Sequence, residues 1–154
     1  HSAACCNPRL SYTLHFINEE SIAVISLLES NVFKDFPNLK IIISHGGGAI
    51  PYHTGRFRAW RLRKGIEEDF HDAMKKLYYD TCTYNKDALE LLFKIVGPDN
   101  VLFGTEKPGT GSGYDPKLGR DLDDLKPVIE SIDFLREEDK RKVFELNARK
   151  LYKL

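Results

Sequence analysis

The feature that most constrains the fold is an apolar run of strand length, residues 39–44, which stops at His45 and is followed by three glycines. A second apolar run, residues 101–104, is followed by Thr105 and then by Glu106. Continuous apolar runs suit parallel strands that are buried on both faces. Side chains at the carboxyl ends of such strands point into the mouth of an α/β barrel. The sequence therefore predicts that His45 and Glu106 face one cavity.

Strand-like and helix-like patterns alternate along the chain. The predicted strands are residues 39–44, 77–81 and 101–104, and the predicted helices are residues 18–33, 49–64, 66–76, Lys86–Val96, 123–134 and 136–152. This alternation indicates βαβ units and a parallel sheet. Three strands alone would leave unpaired edges, which folded proteins avoid. We therefore expect residues 1–154 to be an α/β chain that forms the C-terminal half of one (β/α)8 TIM-type barrel domain, with the N-terminal half absent.

Two segments carry more detailed predictions. In the first helix, Asn18 is the expected N-cap. An apolar stripe at helical spacing is expected to be buried: Ile22, Ile25, Leu28, Val32 and Phe33. Residues 107–122 are rich in glycine and proline, which predicts a long loop directly after the third strand.

Composition excludes several classes of protein. The chain has 23 Lys plus Arg and 23 Asp plus Glu, so its zero net charge gives no field that would attract nucleic acid. No apolar run reaches the ~18 residues that a membrane span needs, and the first residues do not resemble a signal peptide. Cys5, Cys6 and Cys82 are an odd number with two adjacent, which does not suggest a disulfide scaffold. We expect a cytoplasmic protein without nucleic-acid or membrane partners.

Four motifs in this chain resemble those of a known family. They are His45-Gly-Gly-Gly-Ala-Ile-Pro-Tyr52, Tyr79-Asp-Thr81, Asn100-Val-Leu-Phe-Gly-Thr-Glu106 and Asn147-Ala-Arg-Lys-Leu151. Together they resemble the amidohydrolase-2 branch of the amidohydrolase superfamily, which includes the aminocarboxymuconate semialdehyde decarboxylases. The resemblance implies a distorted (β/α)8 barrel with one divalent metal, zinc with manganese as the alternative.

Within that branch, the chain is most similar to the oxalomesaconate hydratases. The similar runs are His53-Thr-Gly-Arg-Phe-Arg58, Asp80-Thr-Cys82 and Tyr114-Asp-Pro-Lys-Leu-Gly119, and Glu106 stands where most relatives carry aspartate. The resemblance implies a lyase that hydrates an unsaturated polycarboxylate. Decarboxylation of an aromatic or dienoic acid is the alternative, ahead of simple hydrolysis. A non-catalytic fragment or subunit is the alternative from a different class of protein.

The resemblance also implies roles for individual residues. His45 is expected to be a general acid/base or polarising group, and Glu106 a general base that delivers hydroxide to a conjugated double bond. Whether Glu106 also binds the metal stays open, and we carry it as a candidate ligand. His1 falls where the family has a metal-binding histidine. A simpler interpretation is that His45 binds a neighbouring loop and that Glu106 is a solvated acid.

A carboxylate substrate calls for cationic and polar partners near the barrel mouth. Arg56 and His53 follow the glycine turn, and Lys107 and Ser112 lie in the loop after the third strand. Arginine binds carboxylates in a bidentate manner, so these four residues are the candidates for substrate binding. The alternatives are a solvated helix face for the arginines and simple mobility for the loop. We also expect the N-terminal half of the barrel, and further copies of the chain in a homo-oligomer, as partners.

Overall fold

The computed structural model describes residues 14–154, and its helices and strands alternate through most of that range. The helices are α1 (Phe16–Leu28), α2 (Val32–Asp35), α3 (Thr54–Arg63), α4 (Phe70–Met74), α5 (Lys86–Val96), α6 (Lys126–Glu130), α7 (Glu137–Arg141) and α8 (Asn147–Tyr152). The strands are β1 (Ile42–Ile43), β2 (Tyr78–Asp80), β3 (Val101–Leu102), β4 (Tyr114–Asp115) and β5 (Arg120–Asp121). Short 3₁₀ turns cover His45–Gly47, Pro51–His53 and Pro98–Asn100, and a π-helical turn, Lys142–Leu146, joins α7 to α8.

A parallel sheet organises the chain. β1, β2 and β3 pair in that order, and all of the pairings are parallel. Ile43 lies opposite Tyr79, which in turn lies opposite Val101, and all three side chains are buried in the hydrophobic core that the helices complete. Helices connect the consecutive strands, as parallel pairing requires. The prediction of an α/β chain with parallel strands is therefore confirmed.

Helix α5 has the bounds that the sequence predicts, because both of its ends carry strong signals. The Asn85 side chain accepts a hydrogen bond from the Ala88 amide at 2.8 Å, which caps the first turn. Gly97 follows the last turn with a φ of 77°, a conformation that glycine adopts readily. Between these ends, Leu89 and Leu92 lie on the buried face. Sequence signals at both ends thus fix this element.

The first helical region differs from its prediction. The expected single helix over residues 18–33 is wrong, since α1 begins at Phe16 and a separate short helix, α2, follows it. The expected buried stripe is also wrong at its first member, because Ile22 is 66% exposed. The buried residues of α1 are Glu20, Val24 and Leu28, which are spaced by four and share one face. This face packs against the turn that follows β1, so the helix is rotated towards that turn.

The segment 107–122 is more regular than the predicted loop. β4 and β5 form an antiparallel pair within it, with Tyr114 opposite Asp121 and Asp115 opposite Arg120. The Gly119 amide donates to the Asp115 carbonyl at 2.8 Å, which closes the connection between the two strands. Among residues 14–154, the structure contains no helix with the length and apolar character that crossing a bilayer requires.

Candidate active site

The turn after β1 is built from consecutive residues with left-handed backbone. His45 has a φ of 49°, and Gly46, Gly47 and Gly48 have φ values of 60°, 89° and 64°. A Cβ on Gly47 would lie 2.8 Å from the Tyr79 ring, and one on Gly46 would lie 2.7 Å from the Thr83 methyl group. Only glycine combines this backbone with such close packing. The glycines therefore let the chain turn sharply across the ends of the strands.

Two side chains tie the strand ends together beneath this turn. The Asp80 carboxylate accepts hydrogen bonds from the Gly46 amide at 3.1 Å and the Cys82 amide at 3.0 Å. The Thr81 hydroxyl donates to the Gly104 carbonyl at 2.7 Å and accepts from the Gly104 amide at 3.0 Å. Asp80 thus holds β1 to β2, and Thr81 holds β2 to β3. The position of Glu106 relative to His45 depends on both contacts.

The structure brings His45 and Glu106 together. The His45 Nε2 atom lies 3.4 Å from Glu106 Oε2, and the His45 side chain is 13% exposed. Both residues line a cavity of about 370 Å³ at the strand ends. The cavity is lined by Ile17, His45, Gly48, Cys82, Thr83, Tyr84, Ala88, Glu106 and Thr110. An imidazole and a carboxylate that share a cavity can carry out acid–base chemistry on a bound molecule.

Sequence reasoning missed a buried carboxylate behind His45. Glu20, from α1, is buried, and its Oε1 atom lies 2.6 Å from His45 Nδ1. This hydrogen bond raises the pKa of His45 to about 9; partial burial opposes the increase, and the charges of Glu106 and Asp80 add to it. These contacts favour the cationic form of the imidazole at neutral pH. A charged residue on the otherwise apolar face of α1 was the available signal in the sequence.

A second residue that sequence reasoning missed is Tyr84, whose hydroxyl donates a hydrogen bond to Glu106 Oε2. Tyr84 and Glu106 have φ values of 61° and 56°, so they share the left-handed backbone of His45. Non-glycine residues in this region are strained, and such strain clusters at functional sites. Three strained residues thus meet at one cavity, and nothing in the sequence pattern marks Tyr84 as one of them.

Cys82 lies beside this group but is poorly suited to act as a nucleophile. Its side chain is 6% exposed, and burial raises the pKa of its thiol well above the ordinary value. The negative charge of Asp80 adds to the increase. The thiol is therefore protonated at neutral pH, in keeping with the expectation of a small buried residue.

The four candidate substrate-binding residues are absent from the described lining of the cavity that holds His45 and Glu106. Arg56 and His53 are exposed, and they do not belong to the described lining of the 370 Å³ cavity. Lys107 pairs with Asp121 at 3.1 Å and Asp123 at 3.5 Å.

Ser112 is also engaged within the loop, because its hydroxyl donates to Asp123 Oδ2 at 2.5 Å. Lys107 and Ser112 thus hold the 107–123 segment together through the buried Asp123 carboxylate. Their role in substrate binding stays a prediction, as does that of Arg56 and His53.

The arginines after the glycine turn divide into two kinds. Arg56 and Arg63 are exposed, as expected for a solvated face. Arg61 is 3% exposed, and it pairs with Glu68 at 2.9 Å and with Glu29 at 3.5 Å. This arginine joins α3 to the C-terminal end of α1, so its role is structural.

The described residues do not form a complete divalent metal site. Within residues 14–154, no group of three His, Cys, Asp or Glu side chains is arranged to hold a metal ion. Glu106 is the one candidate ligand in this range, and one of its carboxylate oxygens already accepts from Tyr84. The other candidate, His1, lies outside the described residues. A catalytic zinc needs about three protein ligands, so this part of the chain does not hold a metal on its own.

The known proteins that resemble this chain point to one family. The sequence pattern of the amidohydrolase family Amidohydro_2 matches residues 2–154. The 2-keto-4-carboxy-3-hexenedioate hydratase of a Sphingobium species is 37% identical over 99% of this chain and 45% of its own length. The 6-methylsalicylic acid decarboxylase of Penicillium expansum is 34% identical over 59% of this chain and 30% of its own length.

A solved structure shows the same relationship. The 4-oxalomesaconate hydratase of Rhodopseudomonas palustris superimposes with a TM-score of 0.84 and 38% sequence identity, over 91% of this chain and 43% of that protein. The chain thus spans about half the length of the hydratases it matches. Because the family pattern covers nearly the whole chain, the protein belongs to the amidohydrolase family, in its amidohydrolase-2 branch.

Proposed function

We propose that this chain is part of a metal-dependent hydratase that adds water to an unsaturated polycarboxylate of the 4-oxalomesaconate type. The observation that carries the proposal is the 3.4 Å approach of His45 Nε2 to the Glu106 carboxylate inside a strand-end cavity. The hydratases that resemble the chain at 37% and 38% identity support hydration as the reaction.

The two side chains fit the two proton transfers of a hydration. Glu106 is the base: its carboxylate takes a proton from water as the oxygen adds to the electron-poor carbon of a conjugated double bond. Negative charge then develops on the carbonyl or carboxylate oxygen at the other end of the conjugated system. Glu20 favours the cationic form of His45, so the His45 Nε2–H can hydrogen-bond to that oxygen and then transfer its proton to the adjacent carbon of the former double bond, which completes the addition of water. His45 thus serves as the acid of the pair and not as the base.

The metal is proposed for the complete protein. The family is metal-dependent, and we propose zinc, with manganese as the alternative. A bound divalent ion supplies Lewis acidity that makes water more acidic. We propose His1 as a ligand from this chain and keep Glu106, whose first role is that of the base, as a second candidate ligand, with the remaining ligands outside the chain.

We also propose that a further polypeptide segment completes the barrel of which this chain forms a part. The chain spans 45% of the Sphingobium hydratase, and its parallel sheet has only three strands in the described range. A polypeptide segment equivalent to the relatives' other half would pair with this sheet and close it. We also propose that the protein is cytoplasmic and forms homo-oligomers.

Decarboxylation is the second candidate reaction. It is supported by relatives such as the 6-methylsalicylic acid and gamma-resorcylate decarboxylases, at 34% and 28% identity. A cationic His45 could protonate the carbon from which carbon dioxide departs. The lower identity of these relatives, and glutamate at position 106, make hydration the first candidate.

A substrate screen with two readouts separates the two reactions. The complete, metal-loaded protein is incubated with unsaturated polycarboxylates and with aromatic carboxylic acids. Hydration removes ultraviolet absorbance of the conjugated acid without release of carbon dioxide, and that is the expected result. Release of one carbon dioxide per molecule consumed, from aromatic acids only, would replace hydration with decarboxylation.

A further inference from the structure

Glu20 is a buried acid for which the fold alone gives no reason. It is 7% exposed and stands between the core of α1 and the turn after β1. Its Oε1 atom accepts a hydrogen bond from His45 Nδ1 at 2.6 Å, whereas its Oε2 atom has no hydrogen-bond partner within residues 14–154. Burying a carboxylate costs free energy that its hydrogen-bonded pairing with one histidine offsets only in part. An apolar residue on this face, like the neighbouring Val24, would avoid that cost.

Attachment of α1 to the turn does not explain the glutamate either. Ser21, the next residue, already makes that attachment: its hydroxyl accepts from the Ala49 amide at 2.9 Å and donates to the Ile17 carbonyl at 2.7 Å. This neutral contact joins the same two elements without a buried charge. The contact of Glu20 with His45 thus needs a reason other than tethering.

We propose that Glu20 is a positioning residue that fixes the imidazole of His45 for the reaction. A ring nitrogen bound to a carboxylate carries a proton, and the ring is held against rotation. With Nδ1 held by Glu20, Nε2 is left to face Glu106 at 3.4 Å and the cavity. The inference rests on the proposed function, because it assigns Glu20 to the acid–base pair of that reaction.

Two substitutions of Glu20 test the assignment in the complete, metal-loaded protein. Glu20→Ala removes the acceptor, and we expect kcat to fall about 10- to 100-fold, the usual scale for loss of a supporting partner, with KM changed by less than about threefold. Glu20→Gln keeps an oxygen that can accept a hydrogen bond from Nδ1, and we expect its kcat to be about tenfold higher than that of Glu20→Ala. Asp139→Asn is the matched control, because Asp139 is also 7% exposed and belongs to the C-terminal helices. We expect its kcat to stay within about twofold of wild type.

A spectroscopic readout tests the contact independently of turnover. In protein with ¹⁵N-labelled histidine, the His45 Nδ1 proton should appear at low field and exchange slowly with solvent. We expect this signal to vanish in Glu20→Ala and to persist in Asp139→Asn. The proposal is overturned if Glu20→Ala retains wild-type kcat, if Glu20→Gln is no better than Glu20→Ala, or if the Nδ1 signal survives in Glu20→Ala.

The two proposals fail in different ways. If the wild-type protein neither hydrates nor decarboxylates any tested acid, the proposed function is wrong. The Nδ1 signal then still decides whether Glu20 holds the ring. If the wild type is active and the Glu20 variants behave like Asp139→Asn, the proposed function stands and the role of Glu20 is wrong.

Discussion

Single residues at the cavity have roles that follow from their neighbours. His45 alone would titrate close to neutral pH, where either protonation state is available. Glu20 raises the pKa of His45 to about 9, which makes the imidazole a proton donor. Glu106 faces this donor and is therefore the group left to accept a proton. The environment of each residue, rather than its type, distinguishes the acid from the base.

Replacement of Glu106 tests its role as the base. We expect Glu106→Gln in the complete protein to lower kcat by about two to four orders of magnitude, since an amide cannot accept the proton from water. Metal content, measured by mass spectrometry, should fall less than activity. The control is Glu130→Gln, an exposed acid at the end of α6, which should leave both quantities unchanged. Unchanged turnover in Glu106→Gln would exclude Glu106 as the base. Loss of metal in proportion to the loss of activity would show instead that Glu106 is a metal ligand.

At this scale, the sequence predicts some contacts and not others. The meeting of His45 with Glu106 follows from strand ends alone, because His45 comes directly after one apolar run and Glu106 two positions after another, and the two runs lie in one parallel sheet. Glu20 is a helical residue 25 positions from His45, and its contact depends on the rotation of α1. That rotation is set by packing against the turn after β1, which no local pattern reveals. The contact of Tyr84 with Glu106 cannot be predicted from the local sequence either, because the left-handed backbone of Tyr84 is imposed by the surrounding structure.

Among the elements, the glycine turn after β1 offers a sharp test of local packing. We expect Gly47→Ala to destabilise the protein by about 1–3 kcal/mol, since its φ is 89° and its Cβ would lie 2.8 Å from the Tyr79 ring. Urea unfolding measures the free energy. Gly55→Ala in α3 is the control: it has no heavy atom within 4 Å of its added Cβ, and alanine is the better helix former. We expect Gly55→Ala to be neutral or stabilising by up to about 1 kcal/mol, and equal losses in the two variants would contradict the packing argument.

The start of α7 carries a pH-dependent part of the stability. The hydrogen bond from the Arg136 side chain holds the pKa of Asp139 below its ordinary value; burial opposes the decrease, and Lys142 nearby adds to it. Because the folded-state pKa is lowered, this contribution is complete above the unfolded value near 3.8 and is lost as pH falls through the folded value. We expect Asp139→Asn to lower the free energy of unfolding at pH 7. Below pH ~4, the free energy of unfolding should fall less steeply with decreasing pH in this variant than in the wild-type protein.

Unfolding by urea at a series of pH values measures this difference. Asp133→Asn serves as the control, because Asp133 is an exposed acid in the preceding connection. Its pH profile should match that of the wild-type protein. An Asp139→Asn profile parallel to the wild type down to pH ~3 would refute the contribution of this cap.

Elements with strong terminal signals were predicted well, and elements defined by distant partners were not. Asn85 and Gly97 mark both ends of α5, so its bounds follow from the sequence. β4 and β5 have two residues each, and they lie in a segment whose glycines indicate a loop. The turn from Asp115 to Gly119 closes their pairing, and the Asp123 amide donates to the Gly111 carbonyl at 2.9 Å beside it; both contacts are properties of the folded chain.

For the molecule as a whole, the open question is how the sheet and the metal site are completed. The described residues supply one candidate metal ligand, Glu106, and the chain spans about half of the hydratases it resembles. We expect isolated residues 1–154 to bind less than one metal ion per chain and to lack hydratase activity, because a catalytic site needs about three protein ligands. Metal analysis and size-exclusion chromatography check this.

The complete protein, prepared in the same way, is the control for that experiment. It should retain about one metal ion per chain and show activity on an unsaturated acid. Isolated residues 1–154 that are monomeric, zinc-loaded and active would disprove the need for a further segment.

The left-handed backbone shared by His45, Tyr84 and Glu106 has a consequence for engineering. A non-glycine residue in this conformation costs roughly 1–3 kcal/mol, and glycine would relieve most of that cost at the same backbone angles. Tyr84 packs against the hydrophobic core, so a selection for heat resistance alone would favour glycine at Glu106 and not at Tyr84. The resulting protein would be better folded and would lack the carboxylate of its cavity. Any mutant library aimed at thermostability should keep these three residues unchanged, because the side chains that the reaction needs are not those that would give the most stable fold.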